Sequence, residues 1–143
     1  MRELAFWDSS ALIPLCVDQA GTRTARRLDE QYQAVVWWAT PVEIASAFAR
    51  LHRMKEIDGL RLAQAHGYLL ELRTQWQEMD PSPSLRDYAE ALLASYSLRA
   101  ADALQLAAAS TWTMHRPANR PLISGDQRLL EAARQMGFRT IEI

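Results

Sequence analysis

The sequence predicts an α/β protein in which helices cover both faces of a central parallel sheet. Three observations predict it. Short apolar runs alternate with amphipathic stretches along the whole chain, the pattern of successive βαβ units. The run AVVWWA is continuous and rich in β-branched and aromatic residues, as in a strand buried on both faces. Acidic residues also recur where a predicted strand hands over to a helix, the rim at which parallel sheets gather their ligands.

The elements follow in order. ELAF and Trp7 make the first strand, over residues 3–7. A short helix after Asp8 meets Pro14, whose ring and missing N–H kink or end it. Beyond a polar connection at residues 18–22, TRTARRLDEQY reads as a helix with its charges on the exposed face. AVVWWA, residues 34–39, is the second strand. TPVEIASAFARLHRMKEI is a helix, with Thr40 suited to the N-cap, Pro41 to the first helical position, and apolar residues at helical spacing.

Asp58-Gly59 interrupts that pattern, and LRLAQAHGYLLELRTQW forms another amphipathic helix. A weak strand is expected over 77–80, before the punctuation PSPS. Two helices follow, around LRDYAEALLASYS and AADALQLAAASTW. After the loop HRPANR come the strand PLIS and the helix GDQRLLEAARQMG, which stops at a glycine. FRTIEI closes the chain as a strand.

The 143 residues fit a single domain, residues 1–143, with no internal repeat, low-complexity tract or linker. No run approaches the roughly 20 apolar residues that cross a bilayer, so no membrane role is expected. Glu3 and Asp8 interrupt what would be the apolar core of a signal peptide. Cys16 is the one cysteine, which excludes an intramolecular disulfide framework and a Cys-based zinc site. A reducing, cytoplasmic location is the expectation. The formal net charge is −1, so the molecule as a whole does not advertise nucleic-acid binding. Its cations are biased, however: Lys55 is the only lysine among 16 basic residues. Arginine holds phosphate bidentately and stacks on bases, although a GC-rich genome favours it equally.

Asp8 follows the first strand, Glu43 follows the second, and Asp126 follows PLISG; Asp102 lies in the first turn of a strongly apolar helix. Each has a local explanation. Asp8 and Asp126 suit turns or N-caps, and Glu43 stands three residues after Thr40 at capping-box spacing. Asp102 complements a helix dipole, but burying an unpaired charge is costly. Their joint pattern is harder to explain locally. Carboxylates converging in one cleft raise one another's pKa, and a divalent cation removes the conflict. Hard oxygen ligands suit Mg²⁺ or Mn²⁺, ions that orient a phosphodiester and stabilise its leaving oxygen.

DSSALIPL, TPVEIASAF, LRAADALQLAAA and SGDQRLLEAARQMGF occur in the order and approximate spacing of PIN-domain nucleases. The chain resembles, in particular, the VapC-type ribonuclease toxins of prokaryotic toxin–antitoxin pairs. The resemblance runs from Asp8 to the last strand. It implies a PIN-like three-layer α/β/α sandwich and metal-dependent cleavage of RNA to a 5′-phosphate and a 3′-hydroxyl. By motif position it implies Asp8, Glu43, Asp102 and Asp126 as catalytic acids. Asp8, Asp102 and Asp126 are the implied metal ligands for Mg²⁺ (or Mn²⁺), with Glu43 acting directly on the ion or through its water. Ser9 and Ser124 flank the site and suit hydrogen bonds to the acids or to a phosphate. The resemblance further implies a homodimer and a VapB-like antitoxin; among RNA substrates, structured tRNA is attractive.

The remaining residues carry milder expectations. His52, His66 and His115 lack paired zinc spacing and are read as surface or packing residues. Trp37, Trp38, Trp76 and Trp112 are read as packing rather than base-stacking residues. Two other functional classes stand beside the nuclease toxin: a PIN-like RNA-processing enzyme outside toxin systems, and an acidic metal-binding interaction module without catalysis. A receiver-like phosphoacceptor domain is disfavoured, because no acidic pair follows the first strand and Lys55 falls in a helix.

Overall fold

The computed structural model describes residues 2–143. Among them, five strands form one sheet: β1 (Glu3–Trp7), β2 (Tyr32–Trp37), β3 (Gln77–Met79), β4 (Pro121–Ser124) and β5 (Arg139–Glu142). Their order is β3-β2-β1-β4-β5, and every neighbouring pair is parallel. Phe6 is in register with Val35 on one side and Leu122 on the other, so β1 is the centre of the sheet.

Seven helices connect the strands: α1 (Ser9–Cys16), α2 (Thr22–Gln31), α3 (Thr40–Arg53), α4 (Gly59–Arg73), α5 (Pro83–Ser95), α6 (Ala100–Trp112) and α7 (Gln127–Met136). Side chains alternate across a strand, and the two faces of this sheet feed two separate cores. Phe6, Val35, Trp37 and Leu122 pack against Leu85 of α5, Leu106 of α6 and Leu129 of α7. Ala5, Trp7, Val36 and Ile123 pack against Leu12, Leu28, Ile44, Phe48 and Leu69 of α1 to α4. The result is the expected α/β/α sandwich, each fully buried large apolar side chain contributing about 1.5–3 kcal/mol. Alanines 107 to 109 of α6 are all fully buried, and their small size lets that helix lie close to both α5 and the sheet.

Four local readings change. The second strand begins at Tyr32 and ends at Trp37, not at residues 34–39. Its last ladder partner is Met79, whose carbonyl also accepts the Trp38 N–H at 3.1 Å. The chain then turns, leaving Trp38 52% exposed while Trp37 stays buried. Thr40 is the first helical residue and fully buried, and Ala39 takes the N-cap position without a side-chain bond. The helix ends at Arg53 instead of continuing through Ile57, with Lys55 in the left-handed region at φ 61°. Pro14 does not stop α1, which runs two residues further to Cys16. The Pro14 carbonyl instead accepts the Thr22 hydroxyl at 2.8 Å, fastening α1 to the start of α2.

The C-terminal rim of this sheet positions the acids. After β1 the chain moves outward through β2 to β3, then returns to the opposite side of β1 as β4. The ends of β1 and β4 therefore diverge at a topological switch point, where parallel sheets open a crevice.

Candidate active site

Asp8 leaves β1 at that crevice, and its N–H donates to the Ile123 carbonyl at 3.0 Å, a last rung between β1 and β4. It occupies the N-cap position of α1, yet its side chain caps nothing. The carboxylate is 4% exposed and is held by hydroxyls: Ser10 Oγ and Ser124 Oγ (2.9 Å) both donate to Oδ2. Ser124 Oγ in turn accepts the Asp126 N–H at 2.9 Å, and Ser10 Oγ accepts the Gly125 N–H at 2.9 Å. The turn after β4 is thereby pinned to Asp8.

Glu43 projects from the first turn of α3, three residues past Thr40, but no capping box forms. Its Oε1 accepts from Ser9 Oγ at 2.8 Å and from Gln105 Nε2 at 3.1 Å. Ser9 thus stands between the two acids; its contact with Asp8 Oδ1, at 3.5 Å, is the looser one. Asp102 reaches the rim from the first turn of α6, where its Oδ2 accepts the Arg99 N–H at 3.4 Å. Asp126 is the N-cap of α7, with Oδ1 accepting from the N–H groups of Arg128 and Leu129 at 2.9 and 3.2 Å. The capping role read for Asp126 is correct; those read for Asp8 and Glu43 are not.

A common pattern emerges. On Glu43, Asp102 and Asp126 one carboxylate oxygen is tied to protein donors, while the other accepts no protein hydrogen bond among the described residues. On Asp8 the second oxygen has only the loose Ser9 contact. None of the four acids joins a salt bridge among the described residues.

Their charges nevertheless act on one another. Burial pushes the Asp8 carboxyl above its ordinary range, the nearby Asp126 and Asp102 charges push the same way, and the serine hydroxyls oppose. Glu43 is raised chiefly by burial, then by Asp8 and Asp102, against the bonds from Ser9 and Gln105. Asp102 is raised by burial and by Asp126, with the Arg99 N–H and the guanidiniums of Arg128 and Arg99 opposing. The structure therefore brings all four acids to one rim, two from strand ends, one from each helical layer.

These residues suit a hard divalent cation: oxygen donors, a free oxygen on Glu43, Asp102 and Asp126 and a loosely held one on Asp8, and negative charge without an ion-pair partner among the described residues. They do not make a closed cage. Among the described residues, no three His, Cys, Asp or Glu side chains stand close enough together to enclose a metal ion. Such a set fits an ion held by one or two carboxylates directly and by the others through water, the usual habit of Mg²⁺.

Three neighbours escaped the sequence reading. Ser10 donates to Asp8 Oδ2 beside Ser124. Arg128 lies close enough to act on Asp102. Gln105 is 1% exposed and bonds Glu43; its signal was available, as the lone polar side chain in LQLAAA, three residues after Asp102 and so on the same helix face. The histidines behave as read: His66 packs edge-on to Phe48 and His115 to Tyr88. Trp112 lies under the Arg120 guanidinium, 4.2 Å from its ring centre. No helix among the described residues is long and apolar enough to cross a membrane.

No curated protein matches the chain. Among solved structures it is similar to a toxin–antitoxin complex from Klebsiella pneumoniae, with 23% identity, TM-score 0.61, and coverage of 87% of this chain and 88% of that one. PAE2754 from Pyrobaculum aerophilum superposes with TM-score 0.68 at 18% identity, covering 98% of this chain and 90% of that one. FitAcB from Neisseria gonorrhoeae gives TM-score 0.62 at 17% identity, covering 97% of each. At these identities the likeness is one of fold. The sequence itself matches the family model of the PIN domain over residues 5–135, nearly its whole length, and the chain belongs to that family.

Proposed function

We propose that the chain is a Mg²⁺-dependent endoribonuclease and the toxin of a type II, VapBC-like toxin–antitoxin pair. PIN domains are generally nucleases and typically use divalent metals. The observation that carries the reading is the four-acid rim: Asp8, Glu43, Asp102 and Asp126 come from four separated segments, three with an oxygen left free and Asp8 with one only loosely held, and none has an ion-pair partner among the described residues.

Asp8, Asp102 and Asp126 would hold Mg²⁺ (or Mn²⁺), one or two of them directly and the rest through water, with Ser10 and Ser124 fixing the Asp8 carboxylate in place. Once bound, such an ion would lower the pKa of water and neutralise charge on the phosphate. Glu43 would meet the ion through water and, with its pKa raised by burial and Oε2 free, would take the proton lost by the attacking water. Arg99 and Arg128 supply positive charge beside Asp102, where the RNA backbone would otherwise meet only acids. The water oxygen bonds to phosphorus as the P–O3′ bond breaks, leaving a 5′-phosphate, and the departing 3′ oxygen takes a proton from solvent to become the 3′-hydroxyl. The RNA 2′-hydroxyl takes no part.

The toxin assignment has separate support in the Klebsiella pneumoniae toxin–antitoxin complex, whose chain has a similar fold. On this reading residues 1–143 act as one PIN-like domain, form a homodimer in the cytoplasm and bind a VapB-like antitoxin; tRNA is the favoured substrate. A PIN-like RNA-processing nuclease outside toxin systems, and an acidic metal-binding module without catalysis, are the competing readings.

Cleavage of total cellular RNA, with Mg²⁺, with EDTA and with Asp8→Asn, tests the proposal when followed by mapping of the ends. Expected are cuts that require the ion and Asp8 and that leave 5′-phosphates. A 2′,3′-cyclic phosphate product, or full activity in EDTA, refutes the mechanism. Co-purification with the product of the adjacent small gene separates a toxin from an RNA-processing enzyme.

A further inference from the structure

We propose that Gln105 is a positioning residue for Glu43, locking its carboxylate so that one oxygen alone faces the site. This rests on the nuclease reading and adds to it a residue outside the acidic set. Gln105 sits on α6, in one helical layer, and its Nε2 reaches across the sheet rim to the first turn of α3 in the other. There it donates to Glu43 Oε1 at 3.1 Å and to Thr40 Oγ1 at 3.2 Å. Thr40 is fully buried, so the amide is anchored to a rigid point beside the acid it serves.

The orientation of the amide is fixed by charge. With Nε2 toward Glu43, the Gln105 Oε1 is buried and has no hydrogen-bond partner among the described residues. Turning the amide over would point that carbonyl at a carboxylate oxygen, which is worse. A buried acceptor without a partner is destabilising, and a Met or Leu here would remove that defect. The glutamine therefore carries a cost to stability that only its donor explains. Ser9 Oγ binds the same Oε1 at 2.8 Å, so two donors from two elements converge on one oxygen and leave Oε2 free. Side chains that orient ligands in this way typically affect metal affinity or activity 10- to 100-fold.

Gln105→Met, similar in shape but without donor or acceptor, separates positioning from packing. Expected for Gln105→Met are a melting temperature equal to or above that of the wild type and Mn²⁺ affinity, by calorimetry on the metal-free protein, weakened about tenfold. RNA cleavage at saturating Mn²⁺ should show kcat lowered about 10- to 100-fold with KM little changed. Should Gln105→Met not fold, Ser9→Ala and Thr40→Val carry the test, since each weakens one arm of the same lock. Ser9→Ala should lower kcat and Mn²⁺ affinity in the same direction, and Thr40→Val by less. Wild-type kcat and Mn²⁺ affinity in folded Gln105→Met, or in both other variants, overturn the positioning role and leave the nuclease reading intact. A wild-type protein that neither binds Mn²⁺ nor cuts RNA overturns both.

Discussion

Asp8→Asn should make the metal-free protein more stable while removing its activity. Asp8 is 4% exposed, and its charge is resisted by burial and by Asp126 and Asp102. Holding an ion in such a place costs several kcal/mol, roughly 4. Two hydroxyl donors, Ser10 and Ser124, offset part of this. An asparagine oxygen accepts the same two bonds, but as neutral ones weaker by about 1 kcal/mol each. The difference leaves Asn favoured by about 2 kcal/mol, or roughly 6 °C in melting temperature for a domain of this size.

The pH dependence fixes the sign. The folded-state pKa of Asp8 lies above its ordinary value of 3.8, so the folded protein holds this proton more tightly than the unfolded chain does. Below 3.8 the carboxyl is neutral in both states and costs nothing. As pH rises from there through the folded pKa, stability falls, and the whole penalty is present above it. Thermal melts in EDTA should therefore show wild type and Asp8→Asn converging near pH 4 and separating most at pH 7–8. Divalent ion at about 100 times its Kd should return roughly 2.7 kcal/mol to the wild type and little to the variant. Asp8→Asn melting below the wild type at pH 7.5 in EDTA would refute the reasoning, because the hydroxyl cage would then outweigh the buried charge.

Two further outcomes concern the scaffold. Gly137 terminates α7 at φ 109°, with the Phe138 N–H closing back on the Ala133 carbonyl at 3.0 Å. Gly137→Ala should cost about 1–2 kcal/mol, the penalty for a Cβ in the left-handed region, read as a fall in the denaturation midpoint. The Cys16 thiol is buried and pushed up to about 12, so native protein at pH 8 should resist thiol reagents that label it fully in denaturant. Rapid labelling of native protein would show that α1 opens from the core.

Most of the architecture was legible because its signals are local. AVVWWA declared a strand covered on both faces, and the apolar spacing in TPVEIASAF declared a helix, whatever their partners. Boundaries were less legible. Trp38 continues an apolar run but lies outside the ladder, because β3 is short and pairing stops at Trp37 and Met79. Thr40 looks like an N-cap by type, but the turn after Trp38 places it one residue further in, where its hydroxyl meets Gln105.

The sequence by itself determined the four acids, their residue types and their order along α/β elements. It also supplied the cations biased to arginine and the chain's place among PIN domains. Only the tertiary structure decided how those acids are held. Asp8 and Glu43 are 35 positions apart in the chain, and the Ser9 hydroxyl joins them; Asp8 and Ser124 meet only because β4 returns beside β1. Local spacing assigned the Asp126 cap, a contact within one turn, but misassigned Thr40, Asp8 and Glu43, whose side chains are claimed by partners on other elements. It could not assign the serine cage or Gln105, because their partners lie on other elements and hydrogen bonding depends on distance in space. Buried charge likewise has no local signature: the raised pKa of Asp8 comes from a rim that exists only after the sheet has assembled.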